Sequence, residues 1–516
     1  MRKPGSSRIP QSWLLLLTAT AVLIHGYHLG TDDAEIYVAA VKKAVDPSLF
    51  PFGSQFFMSH GRLSLFSTLV ADSSRLTHIP IDAAIFVWHV FSIYLILLAG
   101  WEILTATFEN PRACFAGVAL LAGVLAVPVA GTALVIMDPY LTARSISTPT
   151  TLFAISAFLS QRYRRAFTWL VFTALVHPQM SVYCAAFFGL LSLTRVRVRR
   201  PEPVAVYGLA PAILPKGFVL GPAQGSYREA LLMRTYFFVS NWAWYEWIGA
   251  VFPLAILFAF GSRQIAGTLP TFRRVSIALG IFGALAILAA LLISVPESMQ
   301  NFARLQPMRS LHLVYVIFFL FLGALGGEHL LKNRIWPALV LFIPLAAGMW
   351  CVAQATYPSS PHVEWPGMRL KNPWLSAFLW IRENTPKDAV FALDPRYMDH
   401  PGVDGHGFRA IAERSVLADY VKDSGAVSLF PQLADEWKRE VTAQEGWNHF
   451  TATDFERLAG QYPVNWILVV RPAPAGFECP YQNEAVTVCR IPGTASTLLE
   501  SPRRPATLLA INKGAQ

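Results

Sequence analysis

The stretch "TDDAEIY", residues 31–37, places three carboxylates, Asp32, Asp33 and Glu35, directly after the first apolar run of the chain. Acids are costly inside lipid and useful just outside it, so their chemistry depends on the side of the membrane they face. Asp32 followed three residues later by Glu35 matches a capping box, in which each side chain satisfies backbone donors at a helix start, here over 33–45. Asp33 is then the surplus acid. Two adjacent carboxylates also raise each other's pKa, which suits one of them to abstract a proton. Helix start and general base both stay open on these residues alone.

Chemistry on an anionic substrate needs cations at the same surface. Arg304 and Arg309 precede an apolar run in "ARLQPMRSLHLVY", with His312 one turn further in. An arginine fork can hold two phosphate oxygens, and an interfacial arginine can also simply snorkel to water. The corner "MDPYLTARSISTP" carries Asp138, Tyr140 and Arg144, either facing a ligand or joined as an Asp–Arg pair that stabilises the turn. Lys216, Arg228 and Arg234 flank "GPAQGSY" and are placed to receive a diphosphate. His177 reads as a buried structural histidine. "HPGVDGHG" offers His400, Asp404 and His406, ligand types for a metal, but its Gly and Pro content reads as a surface loop. No metal is assigned, although a divalent cation is compatible with the acids.

These groups must be positioned by a membrane body. Of 516 residues, 54% are hydrophobic and 14% charged, against about 25% charged in soluble domains. Runs long enough to cross a hydrocarbon core of about 30 Å recur. They fall at 12–29, 82–104, 113–136, 146–160, 166–193, 203–221, 237–261, 273–294, 311–330 and 336–355. The first follows Arg2, Lys3 and Arg8 without a small-residue cleavage site, so it is expected to stay as an anchor.

Residues before 357 carry 26 Lys and Arg against 14 Asp and Glu, and the rest 16 against 18. The basic excess therefore belongs to the membrane part, where it orients helices, and no nucleic-acid partner is indicated. Loops marked by Arg162, Arg164 and Arg165, by Arg195, Arg197, Arg199 and Arg200, by Arg263, Arg273 and Arg274, and by Lys332 and Arg334 are expected in the cytoplasm with the N-terminus. Residues 30–80, 137–145, 222–236, 295–310 and everything after 356 then face outward. Both flanks of 166–193 are basic and His177-Pro178 interrupts it. A hairpin of two short helices fits, with one kinked span as the alternative.

From Tyr357 a linker, "YPSSPHVEWPG", leads into a helix, "NPWLSAFLWIRENTP". The strand-like runs "DAVFAL", "NWILVVR" and "EAVTVCRI" follow, with helices expected around 408–422 and 428–446. This alternation predicts a small α/β domain. Cys479 and Cys489 flank "PYQNEAVTV", a hairpin pattern, and an oxidising compartment would let them form a disulfide. Cys114, Cys184 and Cys351 sit in apolar runs as packing residues.

"DDAEIYVAAVKKAVDPSLFP" resembles the first external loop of GT-C-fold glycosyltransferases, whose members often carry an Asp-Asp or Asp-Glu pair after the first span. "WIRENTPKDAVF" is similar to the opening of their soluble domains, and "NWILVV" with "EAVTVCRIP" to the closing hairpin. "FRAIAERSVLADYVKDSG" also resembles bacterial membrane proteins of unassigned function. The GT-C resemblance implies a polytopic α-helical membrane protein with about 10–12 transmembrane helices over 1–356 and an extracytoplasmic α/β domain over 357–516. It further implies residence in the inner (plasma) membrane, a polyprenyl-phosphate sugar donor and a cell-envelope acceptor. Asp33 or Asp32 would be the catalytic base. Arg309, Arg304, Glu35, Asp138, Arg144, Tyr140, His312 and Arg234 would surround the substrate. No "WWDYG"-like peptide-binding motif is present, which speaks against protein N-glycosylation. The rival expectation is a scaffold or transporter of lipid-linked sugars on the same fold. A transporter should show paired broken helices, and only "VHPQM" approaches one.

Overall fold

The computed structural model describes residues 10–194, 220–332, 334–368 and 371–493. Lys216 and nearly all of the expected 203–221 span lie outside the described residues. The first part is helical: α1 (Gln11–His25), α2 (Ala34–Val45), α3 (Gln55–Gly61), α4 (Phe66–Thr77), α5 (Ile81–Thr105), α6 (Pro111–Gly123), α7 (Ala143–Leu159), α8 (Tyr163–Val176), α9 (Pro178–Leu193), α10 (Gly225–Leu232), α11 (Trp244–Ser262), α12 (Pro270–Ser294), α13 (Leu311–Gly326) and α14 (Ile335–Thr356). Among the described residues five stretches are long and apolar enough to cross a membrane: α5, α11, α12, α14 and the run Glu297–Leu331 that contains α13. Helices α1, α6 and α9 are apolar but shorter.

The expected 113–136 span is corrected. Its helix stops at Gly123, and the chain doubles back, with Val129 N–H bonded to Leu134 O (2.8 Å) and Ile136 N–H to Val127 O (3.1 Å). Pro128 has no N–H to continue a helix, and Ala133 is left-handed at φ 54°. Hydropathy stays high through this stretch while its backbone folds as a hairpin.

Contacts identify the two ends of the bundle. At one end Glu102 of α5 takes Arg165 of α8 (3.0 Å) and Ser156 of α7 (3.0 Å). There Asn110 bonds Glu328 (2.7 Å), and Leu269 N–H bonds Thr107 O (2.9 Å). These contacts gather the described basic loops, which carry Arg162, Arg263 and Lys332, at that end. At the other end His25 Nε2 meets Ala122 O (3.0 Å) and Tyr183 donates to Gln306 O (2.9 Å).

Helices α8 and α9 meet at His177, with Pro178 at the first position of α9, where its missing N–H goes unneeded. The start of α8 sits at Glu102, and the end of α9 receives the Arg274 guanidinium on Leu191 O. The tip reaches the opposite end, where Leu65 N–H bonds Leu175 O (2.8 Å) and Gln179 bonds Leu305 O (3.1 Å). The segment is a hairpin with both feet among the basic loops.

The tail contains α15 (Pro373–Asn384), β1 (Val390–Ala392), α16 (Phe408–Ala412), β2 (Ser415–Val416), α17 (Asp423–Leu429), α18 (Ala434–Ala443), α19 (Ala452–Gln461), β3 (Trp466–Val470), β4 (Glu478–Gln482) and β5 (Val486–Arg490). Asn372 caps α15 by accepting from Trp374 and Leu375 N–H. The sheet order is β2-β1-β3-β5-β4, with β1 parallel to β2 and β3, and β5 antiparallel to β3 and β4. A disulfide joins Cys479 to Cys489 across the β4–β5 pair. The helix expected over 408–422 ends at Ala412, because Glu413 turns left-handed (φ 54°) and Ser415–Val416 pair with β1. The one expected over 428–446 is divided at Pro431.

The loop between α1 and α5 and the tail share one core. Ala34, Val38 and Val41 of α2 pack with Phe378, Phe391, Phe408 and Ile411 of the tail, and with Ile146 and Val176 of the bundle. Each fully buried phenylalanine there contributes roughly 1.5–3 kcal/mol. A division of the chain at 356 therefore does not divide the packing.

Candidate functional site

Helix α2 starts at Ala34, and the expected capping box is absent. Asp33 makes no side-chain cap bond, and Asp32 is left-handed at φ 53°, with its N–H on Gly405 O (2.9 Å). Glu35 is fully buried and turns to the tail. It accepts Arg409 N–H (3.0 Å) and Ala410 N–H (2.9 Å), and so satisfies the open donors of α16. Burial pushes its carboxyl up to about 8, partly opposed by the nearby Arg409 guanidinium. Glu35 thus ties α2 to the tail and does not line the cavity described next.

That cavity lies at the bundle end opposite the basic loops and measures ≈ 70 Å³. The first loop contributes Asp33, Tyr37 and His60, and the start of α7 contributes Arg144. Arg234 and Tyr236 follow α10, Gln306 and Arg309 precede α13, and Lys422 and Gly425 come from the tail. A water needs about 10–15 Å³, so the space is large enough for a phosphate-sized group. Four cations, Arg144, Arg234, Arg309 and Lys422, line it against one carboxylate, Asp33.

The arginines are held but not exhausted. Arg144 pairs with Asp138. Arg234 donates to Val421 O and Ser424 Oγ. Arg309 lies 5.4 Å over the Tyr236 ring and reaches its hydroxyl at 3.4 Å. The Nε–H of each is buried and has no hydrogen-bond partner among the described residues. Three arginines and one lysine around one small cavity give it a strongly cationic lining, a composition suited to an anion. Burial holds the His60 imidazole down at about 4, so it adds no charge at neutral pH.

Lys422 covers the acids. Its ammonium touches Asp32 and lies 3.2 Å from Asp33, while Tyr140 donates to the second Asp32 oxygen (3.0 Å). A buried chain holds it there: Arg409 grips Asp423 with two bonds (3.0 and 2.8 Å), and Asp419 accepts the Lys422 N–H (2.5 Å). Asp33, Arg144, Arg234 and Arg309 therefore meet on one cavity, with Asp32, Asp138 and Tyr140 just behind. Arg304 points to Leu429 O (3.5 Å), and His312 bonds Ile136 O (2.8 Å); neither lines it. Arg228 lines a separate open groove along α10.

Tyr37, His60, Tyr236, Lys422 and the Arg409 chain carry no local signal of membership. Lys422 lies 389 positions from Asp33, and no spacing rule links them. In "HPGVDGHG" the three candidate ligands separate: His400 pairs with Asp394 (2.8 Å), Asp404 accepts from Ser359 and Ser360, and His406 bonds Glu364 (2.8 Å).

A protein-family model described as a domain of unknown function (DUF6798) matches residues 372–441. The matched part runs from the cap of α15 into α18 and contains Arg409, Asp419, Lys422 and Asp423. No curated protein matches the chain.

Proposed function

We propose that the protein is a GT-C-like membrane glycosyltransferase that moves a sugar from a polyprenyl-phosphate donor to a cell-envelope glycan, lipid or protein hydroxyl. The observation that supports this is the meeting of Asp33 and Arg309 on one cation-lined cavity at the end that carries the tail. The basic loops at the opposite end favour a cytoplasmic placement of that end, with the cavity on the outer face of the plasma membrane.

In this reading Asp33 takes the proton of the acceptor hydroxyl as its oxygen attacks the anomeric carbon. The bond from that carbon to the phosphate oxygen breaks, and the leaving phosphate keeps the electron pair. Arg309, Arg144 and Arg234 meet the developing charge with donors that are already in place, which is where preorganised electrostatics acts. Base activation contributes about 10²–10⁴-fold. Lys422 must first leave Asp33, and an entering phosphate supplies the competing anion. The cavity is large enough for the phosphate, with sugar and lipid chain extending from it along the bundle.

A second reading is favoured by Lys422 itself. An ammonium seated on both aspartates suits a scaffold that binds lipid-linked sugar without transferring it. Purified full-length protein given a labelled polyprenyl-phosphate sugar and an acceptor extract separates the two. Labelled product that disappears in Asp33→Asn supports the enzyme. Donor binding that Arg309→Ala weakens, without any product, leaves the scaffold.

A further inference from the structure

We infer that His28, Glu364 and His406 form a site for one divalent metal ion of the zinc class, separate from the cation-lined cavity. The three residues come from distant parts of the chain: just after α1, in the linker after α14, and in the loop before α16. All are buried, at 1%, 4% and 0% exposure. His28 Nδ1 lies 3.0 Å and His406 Nε2 2.8 Å from the same oxygen, Glu364 Oε1. One donor atom from each lies within 4.8 Å of the others. Zinc ligands sit about 2.0–2.2 Å from the ion, so neighbouring donors of a tetrahedral site are about 3.3 Å apart. The two contacts to Glu364, at 3.0 and 2.8 Å, are a few tenths of an ångström shorter than that spacing, and the two histidine donors, within 4.8 Å of each other, would draw together on the ion.

The surroundings prepare the donors. His406 Nδ1 bonds Val403 O (2.8 Å), the outer contact that fixes a metal-bound imidazole and leaves its Nε2 lone pair pointing at the ion. Glu364 Oε2 accepts Leu29 N–H (3.0 Å), which holds the carboxylate with Oε1 turned to both rings. The His28 ring lies 3.9 Å from that of Tyr357, its Nδ1 faces Glu364, and its Nε2 is buried without a partner among the described residues. With Nδ1–H of His406 committed to Val403, a lone pair faces a carboxylate oxygen at 2.8 Å. Only a positive charge between them makes that stable: a metal ion, or a proton on the imidazole. Two nitrogens and one oxygen are the wrong set for calcium or magnesium, which take mainly oxygen ligands. They suit zinc, with a fourth position left for water.

Such an ion would join α1 to the linker and the tail. Tyr27 N–H already bonds His362 O (3.0 Å), and Glu364 N–H bonds Tyr27 O (2.9 Å). The acid-bearing loop starts three residues beyond His28, so the ion would anchor its base.

The test uses the full chain in detergent, expressed with zinc, purified by size exclusion and analysed by inductively coupled plasma mass spectrometry. About one zinc per chain is expected for wild type, and a several-fold loss in His406→Ala and Glu364→Gln. His400→Ala, in the same loop but paired with Asp394, should keep its zinc. Since the first two variants could misfold, wild type is also stripped with a chelator and titrated with zinc. Its unfolding midpoint should rise by several degrees and saturate near one equivalent, with no response to magnesium. No midpoint response in stripped wild type, or equal zinc content in all three variants, would overturn the site and leave the trio held by a proton.

Discussion

Arg409 provides the sharpest test of how the tail holds the acids. Replacing it by methionine keeps most of the volume and removes the guanidinium that donates to Asp423 at 3.0 and 2.8 Å and approaches Glu35 at 3.5 Å. Both carboxylates are fully buried; with its carboxyl held up at about 8, Glu35 is largely protonated at neutral pH, so the loss falls mainly on the Asp423 carboxylate. Breaking a buried pair by removing one partner costs about 3–5 kcal/mol. For a loop-plus-tail unit of this size that is a fall in unfolding midpoint of about 6–20 °C. The sign with pH follows from linkage. Without its cation a buried carboxylate has a folded pKa above its unfolded value, so the folded form gains stability as pH falls below that folded pKa. The deficit should therefore be largest near pH 8 and shrink toward pH 5. Tryptophan fluorescence on heating, with limited proteolysis of the tail, reads both effects in purified protein. Arg409→Lys should recover only part of the loss, since lysine keeps the charge but not the two-pronged grip. A midpoint change under about 2 °C, or one that does not vary with pH, would refute the assignment of Arg409 as the counter-charge.

Three further outcomes follow from other parts of the fold. Gly407→Ala should destabilise the same contact by about 1–3 kcal/mol, because a Cβ there would come within 2.2 Å of the Glu35 carboxylate; thermal unfolding checks it. Non-reduced peptide mapping should show Cys479 joined to Cys489, and Cys489→Ser should cost about 2–4 kcal/mol. A phosphatase reporter placed after Gln516 should be active only outside the cytoplasm, and cytoplasmic activity would invert the orientation of the bundle.

The sequence makes legible what depends on nearby residues. Basic flanks around His177-Pro178 are enough to anticipate a hairpin, since charge and a missing N–H act locally. Cys479 and Cys489 fall on adjacent strands because a short polar turn separates two alternating runs. Where distant partners decide, local reading fails. Glu35 has the spacing of a capping residue, yet the open N–H groups of α16 are better placed and take it. Residues 408–422 carry helix-forming types, but parallel pairing of Ser415 and Val416 with β1 overrides that preference. Hydropathy alone cannot see that the helix stops at Gly123 and the chain turns back on itself. Asp33, Arg144, Arg234 and Arg309 are each marked in the sequence as charges beside apolar runs, while Lys422, His60 and Tyr236 join them only through tertiary packing.

The central claim is that Asp33 acts as a base beside a phosphate receptor. It is tested most directly by transfer of labelled sugar from a polyprenyl-phosphate donor, with wild type, Asp33→Asn, Asp32→Asn and Arg309→Ala compared in one assay. Asp33→Asn should lower turnover by about 10²-fold or more with an unchanged unfolding midpoint. Asp32→Asn should stay within a few-fold of wild type, since asparagine tolerates the left-handed backbone at that position. Arg309→Ala should raise the donor KM and lower kcat together, because it meets phosphate both before and during departure. An active wild type with Asp33→Asn at the same rate would contradict the account, and so would a wild type that binds the donor and transfers nothing.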